Sequence, residues 1–561
     1  MASRSLDRLL HQLEESRYRF GRGEAPRVAQ LLSSLGKRRF SDVASLIRFH
    51  EALLFPRAFP QGPEVVSQSE RLLRNFSSRV EHLEKAGADM DDFDPLEVSG
   101  IAGTVMQDTL SFDLLRWLVE RAPGAEIVWD DYSEERAMAA VWPSLIPLLE
   151  EDGDTEANIP WQRWLQTAAG GKRRNLQWMV RQIARLPVSD AQKSLLYDSL
   201  RLPVRWRLDD RRLSRTRNWL PVRHVFFHRK PLITRSEVSL AREFAQAQPV
   251  LQRLPLKQGE AVMDMIREVM LVRYRELYGT TLGDPRSVVR ADVGRGVSIY
   301  LWNLPPARRL PLRAYVAGFT LKNGVPINYV EAIGLCEWME VGFNTFYTFR
   351  GGEVAWIYAQ ALRCLVTLTG AKCVSMYPYQ LGDGNEEAIE SGAFWFYRKL
   401  GFRPGRKDLL KLVEREEAKI KHDPVYRTSP RTLRRLAAGH VFYELPGSET
   451  GAWDSFSTRK IGMKVNQRMA REFGGSSERI RAASSKWLAR LLRVHLDSRE
   501  PLERSSLENF AMVLSVAPGL ASWTQQEKQA LVRVIGTKSA ANEMRYLHLT
   551  QKHPRLRELL L

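Results

Sequence analysis

The 561-residue sequence contains few cysteines and no long apolar run. Its three cysteines, Cys336, Cys364 and Cys373, all fall in one apolar-patterned region. Such a small number argues against a disulfide framework and a cysteine-ligated zinc site, and it fits the reducing cytoplasm, where we expect the protein. No segment approaches eighteen uninterrupted apolar residues, and the first residues lack the apolar core of a signal peptide. The sequence therefore predicts neither export nor a membrane span.

Motifs of several large enzyme classes are also missing. The sequence has no Walker phosphate loop, no dinucleotide fingerprint and no Gly-x-Ser-x-Gly elbow. His224 and His228 have the i, i+4 spacing of a helical metal site, but the residues between them are typical of a strand and no third ligand is evident. We therefore predict no metal centre.

The charge, in contrast, is strongly positive, because 84 lysines and arginines outnumber 65 acidic residues and give a formal net charge of +19. Such a potential attracts nucleic acid, anionic membranes or phosphorylated ligands, although an arginine-rich genome explains it equally well. Basic and aromatic residues interleave between Trp161 and Lys230, including the stretch Arg205–Arg217. This stretch predicts a nucleic-acid-binding surface, and the alternative is a folded surface with core tryptophans and snorkelling arginines.

Apolar periodicity divides the chain into four regions. Residues 1–150 repeat apolar positions at the spacing of helices, and residues 151–260 form a basic, aromatic-rich and mainly helical region. Residues 261–407 change to the period of strands, and residues 408–561 return to helical spacing. Acidic and glycine-bearing breaks such as Glu151–Asp154 are typical of loops.

The third region carries the clearest strand signals. Val297–Trp302 and Leu312–Phe319 are rich in β-branched and aromatic residues, and Asn323–Gly324 is a hairpin turn signal before Val325–Ile333. A helical run, Glu353–Leu368, then precedes a strand, Cys373–Tyr377, and a second helix, Ala393–Leu400. The order β-β-β-α-β-α predicts an α+β fold.

The segment Asn344–Ala355 is the most informative part of this region. An extended aromatic stretch runs into a basic turn with two glycines, Gly351 and Gly352, and then into a helix. Glycines permit close approach of the backbone to a ligand, and the free N–H groups at the start of a helix bind anions. The segment therefore favours a phosphate-binding turn.

A second segment, Phe396–Pro404, reads FYRKLGFRP and resembles the signature that closes the last conserved helix of GNAT-type acetyltransferases. The resemblance covers about a quarter of the chain. It implies a central GNAT-like mixed β-sheet with helices, flanked by N-terminal and C-terminal α-helical regions, and acetyl-CoA or another acyl-CoA as donor. Lys372–Tyr377 resembles the strand that splays from its neighbour to admit pantetheine, and Phe346–Phe349 resembles the strand end that pairs with pantetheine amides.

The resemblance also implies a set of cofactor-binding residues. They are Phe346, Tyr347, Thr348, Arg350, Gly351, Gly352, Ala355 and Asn385. Glu353 departs from the family pattern because it stands where the family usually has glycine, and a carboxylate there would repel pyrophosphate. A second departure is the spacing from Asn385 to Tyr397, which is longer than usual.

Two residues are candidates for catalysis. The position of Tyr397 resembles that of the family tyrosine that returns a proton to the departing thiolate, and its alternative role is a buried helix tyrosine. Glu331 is the candidate general base because strand alternation places it on one face with Tyr329 and Ile333, where burial could raise its pKa. Its alternative role is an exposed or paired glutamate, and Glu337 and Glu340 are weaker candidates for the base.

These residues predict a GNAT-like acyltransferase that moves an acyl group such as acetyl from acyl-CoA to an amine by direct attack, without a metal. The amine acceptor, a small molecule or a macromolecule, is left open. The alternative is a non-catalytic binding or scaffold protein that has a degenerate GNAT fold and binds nucleic acid through Arg205–Arg217.

Overall fold

A computed structural model of the chain describes residues 2–146, 159–209, 213–273, 276–448, 458–496, 498–517 and 519–560. The chain forms two compact units built from non-consecutive segments. Unit 1 comprises Met1–Pro231, Ala261–Leu282 and Asn323–Pro326, and unit 2 comprises Leu232–Glu260, Gly283–Lys322 and Ile327–Leu561. This division differs from four consecutive regions, and the loop predicted at Glu151–Asp154 lies outside the described residues.

Unit 1 is mainly helical, and some of its helices begin with a side-chain N-cap. The helices described between residues 2 and 200 are α1 (Ala2–Glu15), α2 (Glu24–Gly36), α3 (Val43–Ala58), α4 (Pro63–Leu73), α5 (Ser77–Lys85), α6 (Phe112–Arg121), α7 (Glu135–Val141), α8 (Trp161–Ala169), α9 (Asn175–Arg185) and α10 (Asp190–Leu200). Before α3, the Asp42 side chain accepts a hydrogen bond from the Ser45 N–H, and Ser189 and Gln192 form a capping box at α10.

Unit 1 also contains a small antiparallel sheet that the sequence did not predict. It consists of β1 (Val105–Asp108), β2 (Glu126–Ile127) and β3 (Val204–Arg207), in the order β1-β3-β2. The regions predicted to be helical therefore contain strands as well. These strands have two to four residues each, too few to show a period of two in the sequence.

Unit 2 is built on a nine-stranded mixed sheet. Its strands are β4 (Gln252–Arg253), β5 (Val289–Asp292), β6 (Val297–Asn303), β7 (Ala314–Lys322), β8 (Val325–Leu335), β9 (Trp338–Thr345), β10 (Cys373–Met376), β11 (Arg403–Pro404) and β12 (Val441–Glu444). The strand order is β11-β12-β10-β9-β8-β7-β6-β5-β4. β9 and β10 run parallel, whereas β12 is antiparallel to both β10 and β11. The expectation of an α+β protein with a large mixed sheet is confirmed, and β12 extends the sheet beyond residue 407.

The hairpin predicted at Asn323–Gly324 joins β7 to β8. Asn323 has φ of +49° and Gly324 has φ of +82°, which is the left-handed backbone that this dipeptide adopts most easily. A Cβ atom on Gly324 would lie 2.0 Å from the carbonyl oxygen of Leu220. Glycine is therefore required here by both conformation and space.

Helices also follow β3 along the described chain, and they form most of the C-terminal part of unit 2. They are α11 (Leu240–Phe244), α12 (Leu256–Leu271, which belongs to unit 1 from residue 261), α13 (Tyr278–Thr281, in unit 1), α14 (Val354–Thr369), α15 (Pro378–Leu381), α16 (Glu386–Glu390), α17 (Ala393–Lys399), α18 (Lys407–His422), α19 (Pro430–Ala437), α20 (Thr458–Phe473), α21 (Ser477–Leu492), α22 (Pro501–Leu514), α23 (Gln525–Lys538), α24 (Glu543–Gln551) and α25 (Pro554–Leu560). Within the described ranges, none of the helices has both the length and the apolar character needed to cross a membrane.

Candidate functional site

The parallel strands β9 and β10 separate soon after they pair. Their register joins Cys373 to Trp338 and ends with Ser375 opposite Glu340. β9 continues to Thr345, whereas β10 stops at Met376, and Pro378 soon begins α15. A proline has no N–H to donate to a strand ladder, so the chain leaves the sheet here. The second half of β9 therefore borders a gap between the two strands.

The backbone of β9 presents polar groups to this gap. The N–H groups of Lys372 and Cys373 donate to the Glu337 carbonyl at 2.7 and 3.1 Å, so the peptide groups of odd-numbered residues point toward β10. On the other edge, the Phe346 N–H donates to the Ile327 carbonyl at 3.0 Å. Within the described residues, β10 offers no partner to the Phe343 peptide group. Its N–H and carbonyl can pair with an extended ligand.

Two buried polar side chains lie at the same end of the sheet. Asn328 on β8 is directly opposite Thr345, the last residue of β9. Asn328 is 1% exposed and Thr345 is 9% exposed. In the part of the chain that the structure describes, neither the Asn328 amide nor the Thr345 hydroxyl has a hydrogen-bond partner. Buried polar atoms without a partner are uncommon in proteins, and a bound polar group or water would satisfy them.

The predicted strand end Phe346–Phe349 is instead a turn. β9 stops at Thr345, and Tyr347–Phe349 form a 3₁₀ helix. Phe346 is buried, and its ring lies 5.9 Å from that of Phe319 and 6.1 Å from that of Tyr329. Thr348 is also buried. Tertiary packing of these aromatic side chains overrides their strand propensity. The groups available for pairing thus belong to β9 before Phe346.

Arg350 is held at the end of this turn by three neighbours. Its guanidinium carbon lies 3.8 Å from the centre of the Tyr347 ring, and its Nε donates to the Thr345 carbonyl at 3.3 Å. It also forms an ion pair with Glu387 on α16. With 39% of its side chain exposed, Arg350 can exchange this surface carboxylate for a ligand phosphate.

The start of α14 follows directly. Gly351 and Gly352 are half-buried, Ala355 is buried, and Glu353 is the N-cap residue. The Glu353 side chain makes no capping hydrogen bond, so no N-cap side chain covers the first N–H groups of α14. The positive end of the helix dipole and Arg350 together favour an anion beside this turn.

Glu353 points into unit 2 rather than toward a ligand. Its carboxylate is completely buried, forms ion pairs with Arg295 and Lys322, and accepts a hydrogen bond from the Ile233 N–H at 3.1 Å. Burial lowers the pKa of Lys322 to about 7, although Glu353 opposes this shift. The two cations offset the charge that was expected to repel pyrophosphate. The departure from the family glycine is therefore part of a buried ion-pair network.

Glu331 lies beside the gap, on the face of the sheet that is opposite to α14. It is directly opposite Gly342, in the part of β9 that has separated from β10. Burial raises the pKa of the Glu331 carboxyl, and a hydrogen bond from the Tyr315 hydroxyl partly lowers it. The structure places this glutamate in a half-buried position with one neutral partner. A carboxylate in this position has the properties of a general base.

A second carboxylate, which the sequence offered only as a weaker candidate, shares this face. Glu340 precedes Gly342 by two positions on β9, and its Oε2 lies 3.1 Å from Nε2 of His440. Arg313 lies 4.0 Å from the other carboxylate oxygen, and the Tyr377 ring is 5.4 Å from that of His440. His440 is 100 residues from Glu340, so no local spacing could reveal their contact.

Tyr397 lies within an aromatic cluster on the α14 side of the sheet. Its ring centre is 5.7 Å from those of Tyr358 and Phe402, and burial raises the pKa of its hydroxyl. Tyr358 in turn packs against Phe343 at 4.9 Å and donates to the Met376 sulfur. No described residue forms a hydrogen bond with the Tyr397 hydroxyl. Tyr397 and Glu331 are thus associated with opposite faces of the separating strands.

Asn385 has a local structural role. It is the N-cap of α16, and its side chain accepts from the Ala388 N–H at 3.2 Å. Its amide nitrogen donates to the Tyr379 carbonyl at 3.2 Å. Both ends of the side chain are therefore engaged within the segment that follows β10.

The basic stretch Arg205–Arg217 is largely paired within unit 1. Arg205 and Arg207 form ion pairs with Glu126 and Glu84 at 2.7 and 2.6 Å. Arg215 is buried and forms an ion pair with Glu51 at 2.6 Å, and Trp206 is a core residue. Arg211 and Arg212 lie outside the described residues. This geometry favours the alternative of a folded surface whose aromatic residues are in the core.

The described parts of the chain contain no group of three histidine, cysteine or acidic side chains that could hold a metal ion. Comparison with protein-family models, with curated proteins and with solved structures yields no match to this chain. The site is therefore interpreted from its own geometry.

Proposed function

We propose that unit 2 is a GNAT-like acyltransferase that moves an acyl group such as acetyl from acyl-CoA to an amine. The observation that carries the proposal is the separation of β9 from β10 after Ser375, which opens a backbone edge at Phe343 next to the start of α14. The GNAT-like fold is part of the same proposal, and the FYRKLGFRP segment, which covers the end of α17 and β11, supports it.

The donor would lie along this edge. The amides of pantetheine pair with the peptide group of Phe343, and Asn328 and Thr345 supply buried polar groups at the same end of the sheet. The pyrophosphate lies at Gly351 and Gly352, where the N–H groups at the start of α14 have no N-cap side chain as a partner. Arg350 adds a positive charge there.

The acceptor amine would approach from the face of Glu331. Glu331 removes a proton from the amine, whose nitrogen attacks the thioester carbon and forms a C–N bond. Backbone N–H groups of β9 stabilise the tetrahedral oxyanion, and the C–S bond then breaks. Tyr397, which burial keeps protonated, donates a proton to the departing thiolate. The charges of Glu340 and Arg313 on the acceptor face suit a polar amine substrate.

The alternative of a non-catalytic scaffold has less support. Its nucleic-acid surface was assigned to Arg205–Arg217, where three of the four described arginines, Arg205, Arg207 and Arg215, are paired with glutamates.

Calorimetric titration of acetyl-CoA tests the proposal. We expect saturable binding by the wild type and affinity weakened about tenfold in Arg350→Ala, because one charge-assisted phosphate contact is lost. Arg406→Ala is the matched control, since Arg406 is another half-exposed arginine of unit 2 in a surface ion pair. Absence of binding by the folded wild type, or equal weakening in both variants, would contradict the proposed site.

A further inference from the structure

Unit 1 contains a cavity of about 610 Å³ between α6 and the segment that includes α9. Four arginines line it: Arg116, Arg173, Arg174 and Arg181. A cavity of this size is in the range that holds a nucleotide-sized ligand. Three of these arginines belong to the basic region between Trp161 and Lys230, but none belongs to the stretch Arg205–Arg217 or to the proposed acyl-CoA site.

The positive charge of the cavity outweighs the acidic charge of its described lining. None of the four arginines forms an ion pair with a described residue. Glu120 is the one acidic residue in the described lining, and it lies 3.5 Å from Arg121, which also pairs with Asp264 at 2.8 Å. The segment that includes α9 is strongly basic, because residues 159–185 contain six lysines or arginines and no acidic residue.

Two of the arginines are held in fixed orientations. The Arg116 guanidinium lies 5.7 Å from the centre of the Phe112 ring, and Arg181 donates from its Nε to the Gln177 carbonyl at 3.2 Å. The Gln177 amide donates to the carbonyls of Pro123 and Ala125 at 3.2 and 3.1 Å. These hydrogen bonds fix α9 against the segment that follows α6. All four arginines are exposed residues.

We propose that this cavity binds the phosphate groups of a nucleic-acid strand or a free nucleotide. Unpaired guanidinium groups that converge on one concave surface repel one another, and an anion with several oxygens relieves that repulsion. Guanidinium groups bind phosphate oxygens in a bidentate geometry, which a nucleotide or a phosphodiester backbone supplies. Arg116 and Arg181 hold the phosphate, and Arg173 and Arg174 contact it from the segment just before α9.

The test compares two double variants that remove the same charge. Arg173→Glu/Arg174→Glu changes the cavity, whereas Arg163→Glu/Arg185→Glu changes exposed arginines on α8 and α9 outside it. The probes are a fluorescein-labelled oligonucleotide of about 20 nucleotides, long enough for a strand-binding site, and fluorescein-labelled ADP. Fluorescence anisotropy gives the affinity of each protein for each probe at several salt concentrations.

We expect the cavity variant to weaken binding by more than about tenfold and to reduce the salt dependence, while the control variant changes affinity by less than about threefold. If the cavity variant weakens binding of the oligonucleotide but the wild type does not bind ADP, the ligand is a nucleic-acid strand. If the wild type binds ADP as tightly as the oligonucleotide, the ligand is a nucleotide. Equal weakening by both variants, or no binding of either probe by the wild type, would overturn the proposal. Arg173→Lys/Arg174→Lys should retain most of the affinity, and acetyl-CoA binding should be unchanged in all variants.

Discussion

The carboxylate of Glu353 lies 3.7 Å from the ammonium nitrogen of Lys322, and both side chains are completely inaccessible to solvent. Arg295 completes this network as a second cation. The network ties the start of α14 to the end of β7, next to the turn where we place the donor pyrophosphate. The first prediction tests whether Glu353 has this structural role.

Glu353→Gln should destabilise the protein by about 3 to 5 kcal/mol, because it leaves the buried Lys322 without its counter-charge. Urea unfolding followed by circular dichroism measures the loss. Glu387→Gln is the matched control: Glu387 belongs to an exposed ion pair with Arg350, and its loss should cost less than about 1 kcal/mol. Addition of Lys322→Met to Glu353→Gln should recover part of the stability. Equal losses in the two single variants would contradict the network.

Glu331→Gln should lower the rate of acyl transfer by about 10²- to 10⁴-fold and leave acetyl-CoA binding intact, because the general base is lost but no donor contact. Thiol release from acetyl-CoA in the presence of a panel of amines measures the rate. Glu390→Gln, at an exposed position on α16, is the control. A turnover rate equal to that of the wild type would remove Glu331 from the mechanism.

The same glutamate predicts a pH dependence. Its pKa is raised by burial above the value of 4.5 expected in the unfolded chain, so the turnover rate should rise as pH increases through this raised pKa. The free energy of unfolding should change in the opposite direction. The contribution of Glu331 to stability is present below its unfolded pKa, and it is lost as pH rises through its folded pKa. At neutral pH, Glu331→Gln should therefore be at least as stable as the wild type. A less stable variant would show that the charged form is favoured.

Tyr397→Phe should reduce turnover without unfolding the chain, because no described residue forms a hydrogen bond with the Tyr397 hydroxyl. If this hydroxyl protonates the thiolate, the rate constant for turnover falls by about 10²-fold and the affinity for acetyl-CoA changes little. Tyr443→Phe is the control, since Tyr443 belongs to the same aromatic cluster through Phe402. An unchanged turnover rate in Tyr397→Phe would show that Tyr397 has only a packing role in the core.

Unit 1 should lose stability in mild acid through His50. Burial lowers its pKa from 6.5 to about 4, even though Glu51 is close enough for an ion pair; Arg215 and Arg273 add to the lowering. Because the folded pKa is below the unfolded value, its stabilising contribution is present above pH 6.5 and is lost as pH falls toward 4.

The free energy of unfolding should therefore fall by about 3 kcal/mol over this range through His50 alone. His50→Gln should show a smaller fall, and His82→Gln, at an exposed position on α5, should match the wild type. Urea titrations at several pH values compare the three proteins. Parallel pH profiles for the wild type and His50→Gln would contradict this account.

The sequence predicted the elements whose signals are local. The dipeptide Asn323–Gly324 predicted the hairpin because the turn requires φ > 0 at both residues. The helix predicted from Glu353 to Leu368 matches α14 within one residue at each end. The small sheet of unit 1 was missed because β3 pairs with β1 and β2 across long stretches of chain.

The parts of the site that depend on distant contacts could not be predicted. Glu353 was expected to face a ligand, because its partners Arg295 and Lys322 are distant in sequence. The contact between Glu340 and His440 was hidden for the same reason. The turn at Tyr347 was expected to be a strand end, since its aromatic residues favour strands until tertiary packing is known.

Hydrogen–deuterium exchange with and without acetyl-CoA tests the central claim most directly. If the donor lies along the open edge of β9, acetyl-CoA should slow amide exchange in residues 341–345 and 350–356, and Arg350→Ala should reduce this protection at the same ligand concentration. Exchange in residues 105–127 of unit 1 should not change. Unchanged exchange along β9 at a saturating concentration of acetyl-CoA would contradict the proposal that this gap binds the donor.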